Sequence, residues 1–242
     1  NGISFDGKAS DIDAVNDIDG MRAFVSPTYG LPSSDVMTGT ETVGAVSAWD
    51  LDYTGKGMTI AVIDTGIRST HDAFSVAPDG AKYDVEALAR KIADAEDYLH
   101  AGNDAEQLFV SPKIPFGYDY QYESYSTAHV SSDHGTHVAG IAAGNNGGDF
   151  RGIAYDAQLF VMQVFEDDGN AEWDTILRAL EDCAYLGVDS VNMSLGSSCG
   201  SCTYSDEVFE AAFSLLSRAG VLVAAASGND GTQAQYNRWG GY

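Results

Sequence analysis

Four short strand-like runs, spaced so that a helix fits between them, constrain this chain more than any other feature. They are Met58-Thr59-Ile60-Ala61-Val62-Ile63-Asp64, Leu159 to Phe165, Asp189 to Leu195, and Val221 to Ala225. The apolar stretches in them are continuous rather than alternating, which is the pattern of a strand covered on both faces. Three intervening segments have helical periodicity. Asp84 to His100 places Val85, Leu88, Ile92 and Leu99 on one side, and Trp173 to Leu186 does the same with Ile176, Leu177, Leu180, Cys183 and Ala184. Asp206 to Arg218 carries acids in its first turn and Arg218 in its last, with Gly220 just beyond. Strands alternating with helices predict an α/β fold, a parallel sheet flanked by helices. No internal repeat is visible.

Composition narrows the setting. With 242 residues, 44% of them hydrophobic, the chain can bury one sizeable core. A formal net charge of −24 argues against nucleic acid or an anionic membrane surface as partner. The acids are scattered, as on a solvated face, and fit an extracellular protein or one that binds cations. No apolar run reaches the roughly 18 residues of a membrane span. Asn1 opens neither a basic nor an apolar leader, so a signal peptide is expected to have been removed or to precede this sequence.

The first 45 or so residues read as a small separate unit and a linker. Ile3-Ser4-Phe5 and Met21 to Val25 are strand candidates. Ile12, Val15 and Ile18 recur at helical spacing behind Ser10 and Asp11. Pro27 to Thr42, rich in Gly, Pro, Ser and Thr and without periodicity, reads as an exposed linker.

The stretch Ser131 to Ile141 holds the densest chemical signal. Ser132 and Asp133 are capping residues for a helix whose first turn contains His134. Gly135, Ala139, Gly140 and Ala143 have almost no side chain, so that helix can approach a sheet closely. In parallel sheets, chemistry gathers at the carboxyl ends of the strands. Here three such ends are polar: Asp64, Ser194-Leu195-Gly196, and Ser227-Gly228-Asn229-Asp230. A buried aspartate that accepts an imidazole Nδ1–H holds the tautomer and stabilises imidazolium. A side-chain amide can donate to a developing oxyanion.

From about Thr54 to Gly231 the sequence resembles the subtilisin-like serine proteases, the subtilases. Val62-Ile63-Asp64-Thr65-Gly66 is similar to the family's aspartate motif, and His134-Gly135-Thr136-His137-Val138-Ala139-Gly140 to its histidine motif. Asn192-Met193-Ser194-Leu195-Gly196 resembles the strand lining the primary specificity pocket. Ala224 to Gly231 resembles the oxyanion segment, with Ser227 as a variation. The resemblance implies that Asp64 orients, His134 acts as general base and acid, and Asn229 stabilises the oxyanion. It also implies substrate contacts from Gly169, Trp173, Ser194, Leu195 and Gly196, although Trp173 suits a plain helix core almost as well. Asp230 stands where it could face the pocket mouth or simply solvent, and His137 reads as structural.

The same resemblance gives an expected organisation. Residues 1–32 are similar to the C-terminal part of an inhibitory propeptide, 33–45 would be a linker with the maturation site, and 46–242 would begin the catalytic domain. The long spacing between Asp64 and His134, filled by the helix at 84–100 and the Tyr-rich segment at 118–125, resembles cell-envelope proteases of the lactocepin type. Protein or peptide substrates and a secreted or cell-surface location follow as expectations. The family's serine stands in a Gly-Thr-Ser-Met-Ala segment that does not occur in these 242 residues. The expectation is therefore a fragment whose nucleophile lies on a further segment, and which is inactive alone. The alternative is a catalytically silent peptide-binding domain. No cofactor is required. Calcium is a common structural ion of the family, but Asn145-Asn146-Gly147-Gly148-Asp149 matches its loop only in outline and fits an ordinary turn better. Cys199 and Cys202 have the spacing of a zinc half-site or a redox pair, and in a secreted protein a local disulfide is favoured. Cys183 is expected as a buried core thiol.

Overall fold

The structure, a computed structural model, describes residues 8, 11–18, 36–95, 98–128, 132–167, 169–196 and 206–226. The chain divides into two units, Asn1–Asp35 and Val36–Tyr242. In the first, helix α1 (Asp11–Asn16) forms where the Ile12–Val15–Ile18 spacing predicts it. The strands expected at Ile3–Phe5 and Met21–Val25 lie outside the described residues.

The second unit opens with two short helices, α2 (Val36–Thr42) and α3 (Ala45–Trp49). The first corrects the linker reading, because the last seven residues of the Pro27–Thr42 tract are helical. Threonine and glycine are weak helix formers, and packing overrides that preference. Thr40 is buried, α2 packs against α3, and Gly44 in the left-handed region (φ 77°) turns the chain between them. There follow β1 (Thr59–Asp64), α4 (Val85–Ala95), α5 (Ala105–Leu108), β2 (Phe116–Asp119), α6 (His134–Ala143) and β3 (Gln158–Gln163). The described elements end with α7 (Trp173–Leu186), β4 (Ser190–Met193), α8 (Asp206–Arg218) and β5 (Leu222–Ala225).

The five strands form one sheet in the order β2-β3-β1-β4-β5, and every pairing is parallel. The predicted α/β class is thus observed, with β1, β3, β4 and β5 each within two residues of the run that predicts it. Strand alternation divides the core in two. Ala61 and Ile63 of β1 and Phe160 and Met162 of β3 face a layer that includes Leu88, Leu180 and Leu186 from the helices. Val62, Leu159 and Val161 face the opposite way, against Ala139 and Ala143 of α6. The small side chains of α6 allow the close approach anticipated for them. Cys183 is fully buried in the first layer with its Sγ 3.3 Å from the Met162 sulfur, and burial pushes its thiol pKa up. Cys199 and Cys202 lie outside the described residues.

Two further elements differ from expectation. Of the helix predicted over Asp84–His100, the described part is Val85–Ala95, and residues 98–100 are not α-helical. Further on, the backbone N–H groups of His100 and Ala101 donate to the buried carboxylate of Asp182 (2.9 and 3.0 Å), which holds this stretch against α7 instead. Strand β2 is not signalled by periodicity at all. Its four residues are buried and pair with β3, Phe116 opposite Phe160 and Asp119 opposite Gln163. At the other margin of the described sheet, β5 is apolar yet open, with Leu222 69% exposed. Among the described residues no helix is long and apolar enough to cross a membrane.

Candidate active site

Strand β1 ends on Asp64, and α6 begins on His134. The carboxylate of Asp64 is 1% exposed, while half of the imidazole surface remains open. His134 Nδ1 lies 2.8 Å from Asp64 Oδ1 and 3.1 Å from Oδ2. With Nδ1 engaged by an acceptor-only carboxylate, the ring carries its proton there, and Nε2 is left as the basic nitrogen. Asp64 Oδ1 also accepts the backbone N–H of Thr65 at 2.7 Å, which fixes the carboxylate against the strand end.

The approach of α6 to β1 rests on two neighbours of this pair. Thr65 Oγ1 accepts the N–H of Gly135 at 3.0 Å and donates toward the Ser132 carbonyl at 3.4 Å, so one hydroxyl joins strand end to helix start. At Gly135 there is no room for a side chain. A Cβ built there would collide with the Gly66 carbonyl and sit 3.1 Å from Asp64 Oδ1. The capping expected of Ser132 and Asp133 takes a different form. Asp133 holds the N-cap position without a side-chain bond, and the Ser132 hydroxyl accepts the His134 N–H at 3.3 Å. His137 is exposed one turn along the helix.

The other described candidates lie on the segments that follow the neighbouring strands β3 and β4. Asp64 is in register with Gln163, and Gln163 with Asp119, so three polar residues stand at one level along β1, β3 and β2. Val164, just past β3, donates its N–H to the Asp64 carbonyl at 3.1 Å. The chain then forms a loop closed by a bridge between Phe165 and Ala171. Gly169 sits near its tip in the left-handed region (φ 86°), with open space where a side chain would be. Trp173 starts α7, while its indole is outside what the structure describes. On the other side of β1, the Asn192 amide donates to Ser194 Oγ at 2.9 Å, and Leu195 packs against the larger core layer. Ser194 and Gly196 follow directly on the carboxyl end of β4. Asn229 and Asp230 lie outside the described residues, which stop at Ala226 after β5.

Sequence reasoning anticipated the close approach at Gly135 but missed the supporting roles of Thr65 and Gln163. A hydroxyl directly after the aspartate was the available signal for Thr65. The Asn145–Asp149 segment is a self-bonded turn. Asn145 Oδ1 accepts the Gly147 N–H, and Asn146 Oδ1 accepts those of Gly148 and Phe150.

The chain is similar to known proteins over most of its length. The model of the subtilase family matches residues 55–240. The PII-type proteinase of Lacticaseibacillus paracasei is 31% identical over 246 residues, which cover 96% of this chain but 12% of that protein. The minor extracellular protease Vpr of Bacillus subtilis (strain 168) is 31% identical over 189 residues, 78% of this chain and 20% of the relative. Subtilisin E of the same strain is 29% identical over 201 residues, 83% of this chain and 42% of the relative. The chain therefore spans about an eighth of the length of the proteinase from Lacticaseibacillus that it matches. With the family model covering most of its length and the histidine of one motif seated on the aspartate of the other, the chain belongs to the subtilase family.

Proposed function

We propose that these residues are part of a secreted or cell-surface serine endopeptidase that hydrolyses peptide bonds through an Asp-His-Ser triad. The observation that carries the reading is the 2.8 Å contact between the half-exposed His134 ring and the buried Asp64 carboxylate. In this reading Asp64 holds the tautomer. His134 Nε2 takes the proton of a serine hydroxyl and returns it to the leaving amine, and Asn229 donates to the oxyanion. Ser194, Leu195 and Gly196 would line the pocket for the side chain before the scissile bond, with Asp230 near its mouth. Gly169 would pair with substrate backbone, and Trp173 would border an outer apolar pocket. The extracellular location follows the relatives, one of which is named as an extracellular protease.

The serine itself would come from a segment beyond these residues. Support comes from β5, whose open apolar residues are suited to further covering chain. The 242 residues alone are then expected to be inactive. The separate packing of Asn1–Asp35 supports a propeptide-like role for residues 1–32, with maturation within 33–45. The mechanism calls for no cofactor. Any calcium would be a structural ion. A serine-directed fluorophosphonate probe tests the proposal on the complete gene product. Covalent labelling that is lost in His134→Ala supports it, and an unlabelled, correctly folded protein refutes it in favour of a silent peptide-binding domain.

A further inference from the structure

The loop Phe165–Ala171 springs from the strand beside Asp64, and its stem is gripped by Gln163. The Gln163 amide donates to the Phe165 carbonyl at 2.8 Å and accepts the Phe165 N–H at 2.5 Å. Within the loop, Glu166 N–H donates to the Asn170 carbonyl at 2.7 Å and Gly169 N–H to the Glu166 carbonyl at 3.0 Å. These bonds close the loop on itself but do not hold it against the rest of the protein.

Phe165 and Ala171 pack on the core at the loop's two ends, and two consecutive side chains reach the stretch between them. Tyr122 Oη accepts the backbone N–H of Asp167 at 3.2 Å, and Gln121 Nε2 donates to Glu166 Oε1 at 3.2 Å. Both project from a tight turn that follows β2 and is itself heavily anchored. Asp119 and Ser124 exchange backbone bonds (2.8 and 3.0 Å), and Asp119 Oδ1 accepts the N–H groups of Gln121 and Tyr122 (3.0 and 2.9 Å). Arg178 of α7 reaches Glu123 at 3.0 Å and the Tyr120 carbonyl at 3.2 Å. Tyr120 Oη donates to the buried Asp182 at 2.8 Å, and Thr175 Oγ1 donates to Gln121 Oε1 at 3.2 Å. Half of the Tyr122 surface is exposed. Burial of its ring is therefore a weak reason for this placement, and the bond to the loop backbone is the specific one.

We propose that Gln121 and Tyr122 are positioning residues that hold the Phe165–Ala171 loop, and with it the Gly169 backbone, ready for an extended peptide. This rests on the reading that Gly169 pairs with substrate main chain. A loop ordered before binding spares the ligand the cost of ordering it. The braces therefore act on substrates long enough to reach the loop, and chiefly on KM.

The test uses the complete gene product and two substrates, a peptide with four residues before the scissile bond and an acylated single-residue ester. Tyr122→Phe removes one hydroxyl. Gln121→Glu is a near-isosteric second variant that sets a carboxylate against Glu166. Each is expected to lower the long-to-short ratio of kcat/KM by about fivefold, the worth of one hydrogen bond, with the loss in KM for the long peptide. An unchanged ratio, or equal losses on both substrates with a lowered melting midpoint, overturns the positioning role while leaving the protease reading intact. A wild-type protein that is unlabelled by fluorophosphonate and inert on both substrates overturns that reading and this one with it.

Discussion

His134 Nδ1 and Asp64 Oδ1 are 2.8 Å apart, although 70 positions separate the two residues along the chain. The contact joins a strand terminus to a helix terminus, so both partners sit on rigid elements. The aspartate is buried with a further backbone donor on the same oxygen, and the imidazole edge faces outward. Such an arrangement keeps a neutral imidazole in one tautomer and ready to receive a proton.

Under the proposed mechanism, Asp64→Asn in the complete gene product is expected to lower kcat on the order of 10⁴-fold, because an amide facing Nδ1 no longer selects the tautomer that leaves Nε2 basic. Steady-state kinetics beside a thermal melt check this. A kcat within tenfold of wild type would contradict the assigned role.

Asn229→Ala should reduce kcat far more than it changes KM, since an oxyanion donor acts on charge that develops in the transition state. The expected loss is about 10²–10³-fold, the size found for such an amide in subtilisin itself. A change confined to KM speaks against Asn229 as the donor.

Gly135→Ala should displace α6 from β1. The new methyl group meets the backbone oxygen of Gly66, which cannot swing aside as a flexible side chain can. Thr65→Val makes the same junction fail differently, by leaving the buried Gly135 N–H without its 3.0 Å acceptor at a cost of about 1–3 kcal/mol. Denaturant titration of both variants should show lowered stability, with kcat falling in each. Wild-type stability in both would show that this junction is slack.

Stability should rise with pH through one buried amine. Lys113 is 1% exposed, its ammonium donates to the carbonyls of Tyr155 (2.8 Å) and Ala157 (2.7 Å), and burial lowers its pKa from 10.5 to about 8. Between those values the unfolded chain holds a proton that the folded chain has released, so folding is favoured progressively as pH climbs from about 8 to 10.5. The full effect is about 3 kcal/mol. Urea midpoints across this range should climb in wild type relative to Lys113→Met, and parallel curves would dismiss the effect.

The Asn1–Tyr29 peptide, made separately, should slow the mature enzyme at micromolar concentration if it is a propeptide remnant. Progress curves with and without the peptide decide this, and an unaffected rate removes the propeptide reading.

The sequence by itself determined the class of fold and most of its parts. Strands β1, β3, β4 and β5 follow from local apolar runs, and α7 and α8 begin and end where periodicity and end signals place them. Those features are legible because a strand buried on both faces, or an amphipathic helix, records its surroundings in consecutive residues. The identities of Asp64 and His134 were equally plain, each lying within a short motif. Tertiary structure alone decided the rest. Phe116–Asp119 becomes a strand because β3 offers it a pairing edge, and Val36–Thr42 becomes a helix because it packs on α3. The roles of Thr65, Gln121 and Tyr122 exist only across contacts between segments distant in sequence. A hydroxyl or an amide has no meaning there until folding brings its partner within hydrogen-bond reach.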